Sequence, residues 1–275
     1  SILMVTLSDV DTGAPLAVMS ANLLSAMRTG AMPALAAEYL ARKDSRVLSL
    51  IGPGVSNKCA FRHYMETPPG IDTVKIKGST PESRSARAMK EYIEAEYPQI
   101  QKIILCSTLE EACREADVVS EAVSVTKAEM EEFKPDWFDK GAAVFSMGSF
   151  FVKEYEKLLG TRMVVDNYGM YEKYMSNFIA RGPVDEFGKK REWCIMGMHF
   201  VHLVNTGQAE RSQVLSLSDL VNGKAKGRTS DDEVVMCSIG GMPLEDLSWG
   251  WECWQEARRK GLGTVLNLWE EPYMK

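Results

Sequence analysis

No stretch of this chain carries the roughly 18 consecutive apolar side chains that a bilayer span requires. Basic charge is also short: Lys and Arg number 32 against 38 Asp and Glu, for a net charge of −6. A broad phosphate-binding surface needs clustered cations, so nucleic acid is not the expected partner. The N-terminus has neither an initiator Met nor a basic segment ahead of an apolar one, so no signal peptide is visible. None of the six cysteines (Cys59, Cys106, Cys113, Cys194, Cys237, Cys253) forms a Cys-x-x-Cys pair. The clustered spacing of a zinc site with His199 or His202 is missing as well, so no metal is expected. Scattered thiols in apolar surroundings fit reduced cysteines in a cytoplasmic protein. Internal repeats and low-complexity segments are absent.

What is present is an ordinary globular composition, 45% hydrophobic and 25% charged over 275 residues, enough for one large domain or two modest ones. Residues 2–7 and 15–19 are short apolar runs around Asp9, Asp11 and Gly13, which predicts a β-hairpin. A helix is expected from Ser20 to Arg42, with a kink or break at Pro33. Six apolar strand segments then alternate with helices: 46–51, 73–77, 102–106, 117–123, 142–147 and 162–165. Strands apolar on both faces, separated by helices, indicate a parallel sheet covered on both sides. The expected fold is therefore α/β, a Rossmann-type doubly wound sheet over 44–170. A second, smaller α+β domain for substrate and dimerisation would be built from 1–43 and 171–275. Thr108 with Glu111 reads as a capping box. Residues 183–193 read as an exposed loop, 194–204 as a strand or a helix, and 244–260 as a helix whose Leu247, Trp251 and Trp254 mark a core or an interface.

Gly52-x-Gly54 follows the first sheet strand directly and precedes a helix. Glycines there let the backbone turn tightly and approach a pyrophosphate, while the helix start offers free N–H groups. The third glycine of the full fingerprint is missing, with Asn57 in its place. Two glycines also serve a plain strand-to-helix connection. Their position at the first crossover of a six-strand alternation favours a cofactor. The second strand ends in Lys77-Gly78-Ser79-Thr80-Pro81, with Arg84 close by and no carboxylate before Glu82. An acidic residue here would read a ribose 2′-hydroxyl; hydroxyls and an arginine suit a 2′-phosphate. NADP is expected over NAD, although Ser79-Thr80-Pro81 also makes a helix cap.

Several segments in order resemble the ornithine cyclodeaminase/μ-crystallin family. They are Leu24 to Ala31 with Arg28-Thr29, Leu40-Ala41-Arg42, Leu50 to Val55, Thr108 to Ala112 with Ala116 to Val119, Gly223-Lys224 through Gly227 to Asp231, Cys237 to Gly240, Leu244-Glu245-Asp246, and Gly261 to Thr264. The resemblance implies an NAD(P)-dependent enzyme acting on an amino acid or its imine: a ketimine reductase, a cyclodeaminase, or an amino-acid or opine-like dehydrogenase. It also implies a homodimer. Carried over, Arg28 would pair with a substrate carboxylate and Ile239 would face substrate. Thr29, Val55, Ser56, Gly78, Ser79, Thr80, Met147, Gly148 and Ser238 would line the cofactor.

Three departures from the family pattern bear on chemistry. An Arg and a Lys upstream of the Arg-Thr helix have no counterpart, so the family's N-terminal portion is expected to be missing. Ser56 replaces the usual Gln. The catalytic Asp of the cyclodeaminases aligns with Phe150, which cannot exchange a proton. Glu121, at the C-terminal end of the fourth strand, is a replacement acid/base candidate, although a surface or interface carboxylate is the preferred reading. Lys153 is a second candidate, preferred as a solvent-facing residue. Asp166 and Asn167 read as caps of the next helix, and His199 and His202 as structural. A non-catalytic or accessory cofactor-binding subunit, for example of an amine-oxidising system, is the alternative function.

Overall fold

The computed structural model describes residues 2–67, 70–123, 131–182 and 194–267. The chain forms two compact units, one of Ser1–Arg28 with Met242–Lys275 and one of Thr29–Gly241. In chain order the elements are β1 (Met4–Ser8), β2 (Pro15–Ser20), α1 (Asn22–Leu40), β3 (Val47–Ile51), α2 (Val55–Glu66), β4 (Thr73–Lys77), α3 (Arg84–Glu96), β5 (Lys102–Leu105), α4 (Leu109–Cys113), β6 (Val118–Glu121), β7 (Ala143–Ser146), β8 (Arg162–Val165), α5 (Tyr168–Ala180), α6 (Met196–Asn205), β9 (Val214–Ser216), α7 (Leu217–Val221), β10 (Val235–Ser238) and α8 (Pro243–Arg259).

The larger unit is built on one eight-stranded sheet, in the order β5-β4-β3-β6-β7-β10-β8-β9. Every neighbouring pair in it is parallel. Its strands are short and apolar on both sides because both faces are covered. Leu48, Leu50, Ala143 and Phe145 enter one buried cluster, while Ile51, Val119, Val144 and Met236 enter the other. The order turns at β3, whose neighbours are β4 and β6, and that reversal is the topological switch point of a doubly wound sheet.

The sheet corrects the expected boundary at 170. β9 and β10 come from beyond it, and β10 pairs with both β7 and β8. The described residues of 171–241, expected in the smaller domain, therefore belong to the sheet unit, as do 29–43. Val235, Met236, Cys237 and Ser238 are almost wholly buried between two strands, so four residues suffice for a central strand. A run that short carries little periodicity. α1 passes through Pro33 without a break. Its Gly30 lies so close to α2 that a Cβ there would overlap the backbone of Cys59 and Ala60. The 194–204 segment forms a helix, α6. Thr108 caps α4 by accepting from the Glu111 N–H, but the Glu111 carboxylate reaches back to the Ser107 N–H, one residue earlier than a capping box requires. The expected loop at 183–193 lies outside the described residues.

Arg228 accounts for the Gly227-Arg228 segment structurally. Its guanidinium donates to the carbonyls of Leu40, Ser230, Glu233 and Gly141, at the end of the sheet where β7 and β10 begin.

The smaller unit contains the hairpin, in which Met4 pairs with Ser20 and Leu7 with Ala17. Asp9 closes the turn by accepting from the Thr12 N–H and hydroxyl. α8 lies on the hairpin at Gly250, where Val5, Leu7 and Met19 come nearest. The Leu247–Trp251 stripe of α8 is exposed, with Leu244 62%, Leu247 52% and Trp251 40% open. It is therefore no core stripe of this unit.

Candidate functional site

The register places one row of residues across the carboxyl ends of the central strands. Lys77 pairs with Ile51, Ile51 with Glu121, Glu121 with Ser146, Ser146 with Ser238, and Ser238 with Val165. The next residue along each strand is Gly78, Gly52, Ala122, Met147, Ile239 and Asp166. Gly52, Gly54, Val55, Ser56, Gly78, Ser79, Thr80, Met147, Gly148 and Ser238, separate in sequence, thus share one edge of one sheet. Ligands of open α/β sheets bind at that edge, outside the switch point.

The turn after β3 is shaped for close approach. Gly52 has φ +78°, and a Cβ on it would lie 2.8 Å from the Ala122 carbonyl oxygen. Gly54, the N-cap of α2, has φ −87° and open space where a Cβ would stand. No side chain caps α2, so its first-turn N–H groups and the positive end of its dipole remain available to an anion. Asn57 does more than replace a glycine. It is wholly buried, and its Nδ2 donates to the carbonyls of Ile51, Gly52 and Ser120 at 2.8, 3.1 and 3.1 Å. Its Oδ1 accepts the Ser120 hydroxyl at 2.7 Å. These residues fit a dinucleotide pyrophosphate.

At the end of β4, Gly78 is enclosed: a Cβ there would overlap the Ser83 hydroxyl, which caps α3 by accepting from Ala86 N–H. No carboxylate side chain fits at that position. Ser79 and Thr80 are exposed, and so is Arg84 at the start of α3. Lys77 is 4% exposed; its ammonium donates to the Gly78 carbonyl at 2.8 Å and lies 3.4 Å from Glu131.

Glu121 is not a surface carboxylate: it is wholly buried. Its oxygens accept the Ser146 hydroxyl and the N–H groups of Val123, Gly148 and Ser149. Burial pushes its carboxyl up from the ordinary 4.5 to about 7, against the pull of those four donors. The sheet end forces this arrangement, since a carboxylate on a strand buried on both faces must find donors locally. Gly148 completes it, because a Cβ there would crowd Val123 and the Glu121 carboxylate. The turns after β6 and β7 are therefore tied together by one side chain.

The other residues singled out by the sequence lie as follows. Phe150 is fully buried and stacks on Phe133 with ring centroids 4.3 Å apart, so its side chain belongs to the core. Ser238 and Ile239 are also buried; the Ser238 hydroxyl accepts the Gly197 N–H at 2.9 Å, and Ile239 packs in the apolar cluster under the sheet. Lys153 stands at the surface, paired with Glu132 at 3.0 Å. Burial lowers the imidazole of His199 to about 4, which keeps it neutral beside the stacked Tyr155 ring.

In the smaller unit, the Arg28 guanidinium is held by two carboxylates of α8, with Nη1 3.0 Å from Glu245 and Nε 3.0 Å from Asp246. Those two charges outweigh its own. Thr29 is half-buried on α1 in the sheet unit.

Sequence reasoning did not single out Ser120, Ser146 or Ser83, and it read Asp166 only as a helix cap. Asn167 does cap α5, accepting from Met170 N–H. Asp166 instead accepts from the Tyr171 hydroxyl and from the N–H groups of Gly240 and Gly241, fixing the turn after β10. The available signal was polar residues at the ends of otherwise apolar strands, as in Val118-Val119-Ser120-Glu121.

Among known proteins, the chain is 27% identical to N-((2S)-2-amino-2-carboxyethyl)-L-glutamate dehydrogenase of Staphylococcus aureus, over 96% of this chain and 71% of that protein. It is 26% identical to a Delta(1)-pyrroline-2-carboxylate reductase of Bacillus thuringiensis, over 96% of this chain and 74% of that one. Two solved structures share the fold. One is an archaeal alanine dehydrogenase dimer with bound NAD (TM-score 0.75, 23% identity, 98% of this chain and 75% of that one). The other is the Thermococcus litoralis Delta(1)-pyrroline-2-carboxylate reductase in complex with NADH and L-proline (TM-score 0.72, 22% identity, 96% and 74%). The sequence profile of the ornithine cyclodeaminase/mu-crystallin family matches residues 1–261, and the chain belongs to that family.

Proposed function

We propose that this chain is an NAD(P)-dependent oxidoreductase that interconverts an amino acid and its imine, as a ketimine reductase or an amino-acid or opine-like dehydrogenase. The observation that carries the proposal is the single edge row. It sets the open turn at Gly54, the crowded turn at Gly78 and the tethered Met147-Gly148 turn side by side at the switch point of the sheet. The two relatives named above are a dehydrogenase of an amino acid and a reductase of a cyclic imino acid, which supports the same class. A nicotinamide dinucleotide supplies or accepts the hydride.

This chain's own residues then have separable tasks. The α2 N-terminus and the Gly52–Gly54 turn hold the pyrophosphate. Met147 and Gly148 would line the cofactor, and Glu121 holds their turn in place. NADP is preferred over NAD because Gly78 leaves no room for a ribose-reading carboxylate, while Ser79, Thr80 and Arg84 offer hydroxyls and a cation. Thr29, Val55 and Ser56 complete the cofactor lining. Arg28 meets a substrate carboxylate only by sharing its guanidinium with Glu245 and Asp246. Proton transfer is assigned neither to Glu121, whose oxygens hold two turns, nor to surface Lys153.

The exposed Leu244–Leu247–Trp251 stripe is assigned to a homodimer contact, in keeping with the dimeric archaeal neighbour. No helix among the described residues is long and apolar enough to cross a membrane. Together with the acidic balance and the free thiols, a cytoplasmic setting is inferred. The accessory-subunit alternative drew on Phe150 and on the missing upstream Arg and Lys; the dehydrogenase and reductase among the relatives lend it no support. The direct test is NADPH or NADH oxidation, followed by absorbance, with cyclic imino acids and with pairs of a keto acid and an amine. Turnover supports the proposal; cofactor binding without turnover on either substrate class counts against it.

A further inference from the structure

The hydrogen bonds of Asn57 stand at the centre of the cofactor edge yet touch nothing outside the protein. Its carboxamide is fully buried, and both ends are committed. The NH2 group faces the carbonyls of Ile51, Gly52 and Ser120, and the oxygen receives the Ser120 hydroxyl. An amide has only one orientation that satisfies three carbonyl acceptors, so those carbonyls fix which way Asn57 points, and the Ser120 hydroxyl supplies the one donor its oxygen needs. The carbonyls it binds belong to the last residue of β3, to the left-handed Gly52, and to the penultimate residue of β6. One side chain thereby fastens the start of the β3–α2 turn to the strand on the other side of the switch point. No capping side chain does that work at Gly54.

We propose that Asn57 is a positioning residue for the dinucleotide. With the Ser120 hydroxyl completing the hydrogen bonds of its amide, it holds the Gly52–Gly54 turn so that the first N–H groups of α2 stay open to the pyrophosphate. The proposal rests on the cofactor reading above. It differs from a packing role because the consequence falls on dinucleotide affinity in the folded protein, and because the Ser120 hydroxyl donates to the Asn57 oxygen. Ser120 itself is buried and faces inward.

The experiment is titration of the full chain with NADPH and with NADH, followed by tryptophan quenching or calorimetry. Wild type, Asn57→Ala, Ser120→Ala and the double variant are compared, with thermal melting recorded for each. Loss of a buried, fully used amide predicts about tenfold weaker NADPH binding for Asn57→Ala and about threefold for Ser120→Ala. The double variant should bind no worse than Asn57→Ala, since the hydroxyl works through the amide. Asn57→Ala that melts lower yet keeps the wild-type Kd overturns the proposal, as does independent addition of the two losses. If Asn57→Ala does not fold, Ser120→Ala decides: a wild-type Kd overturns the proposal and a weakened one supports it. A wild-type chain that binds neither dinucleotide at millimolar concentration overturns the cofactor reading and this proposal with it. Binding by the wild type with no change in the variants overturns this proposal alone.

Discussion

Glu121 accepts the hydroxyl of Ser146 at 2.7 Å across a register pair at the carboxyl ends of β6 and β7. The same carboxylate takes three backbone N–H groups from the two turns that follow. Burial pushes its carboxyl up to about 7 from 4.5. Between those values the unfolded carboxyl is ionised while the folded one keeps its proton, so the folded state binds more protons and stability falls as pH rises. The whole effect amounts to about 3 kcal/mol at most, spent by neutral pH. Urea midpoints of wild type and Glu121→Gln between pH 4.5 and 7.5 should show this slope in the wild type and its loss in the variant. Equal slopes would remove Glu121 as its source.

Phe150 marks where a catalytic Asp was expected, but the ring is stacked on Phe133 inside the core. Phe150→Asp should therefore not supply a proton-transfer group. It should lower stability by about 3–5 kcal/mol by emptying the stack and burying a carboxylate. Gain of turnover with stability unchanged would show that the position faces the site.

Arg28 is paired with Glu245 and Asp246. Arg28→Lys keeps the charge but loses the planar fork that reaches both carboxylates, and the half-buried setting limits the cost to about 1 kcal/mol. Denaturant midpoint and substrate KM, measured together, separate two roles. A fall in midpoint with KM unchanged marks a clasp between α1 and α8. A KM rise of tenfold or more shows that a substrate carboxylate shares the guanidinium.

Leu247 and Trp251, which the sequence marks as core or interface, stay exposed on α8. Leu247→Glu and Trp251→Glu should shift the chain from dimer to monomer by light scattering, with little change in the far-UV spectrum. A variant that remains dimeric locates the contact elsewhere.

Much of this architecture was readable because strands buried on both faces are mostly apolar. β3 to β8 stand out against the helices between them, and Gly52 and Gly54 fall at the first crossover. β10 falls in the stretch assigned to the smaller domain, because four residues do not reveal which neighbours they pair with. The edge at the carboxyl ends of the strands was legible through its glycines. The residues that hold it were not: Asn57 and Ser120 are 63 positions apart, and nothing local shows that an amide meets a hydroxyl. Glu121 was noticed as a carboxylate at a strand end, but its burial and its donors depend on the turn after β7. Phe150 could be aligned with a catalytic residue, yet only packing shows which way its ring points.

The central claim is that the β3–α2 turn holds a dinucleotide pyrophosphate, and Gly54→Asp tests it most directly. A side chain there meets open space at an ordinary φ of −87°. Asp is also a good N-cap, so α2 should be kept or gain about 0.5 kcal/mol. The new carboxylate would occupy the phosphate position and repel it. NADPH and NADH titrations beside a melting curve should give an unchanged or higher melting temperature and at least about a hundredfold loss of binding. Wild-type affinity in a folded Gly54→Asp protein would contradict the account.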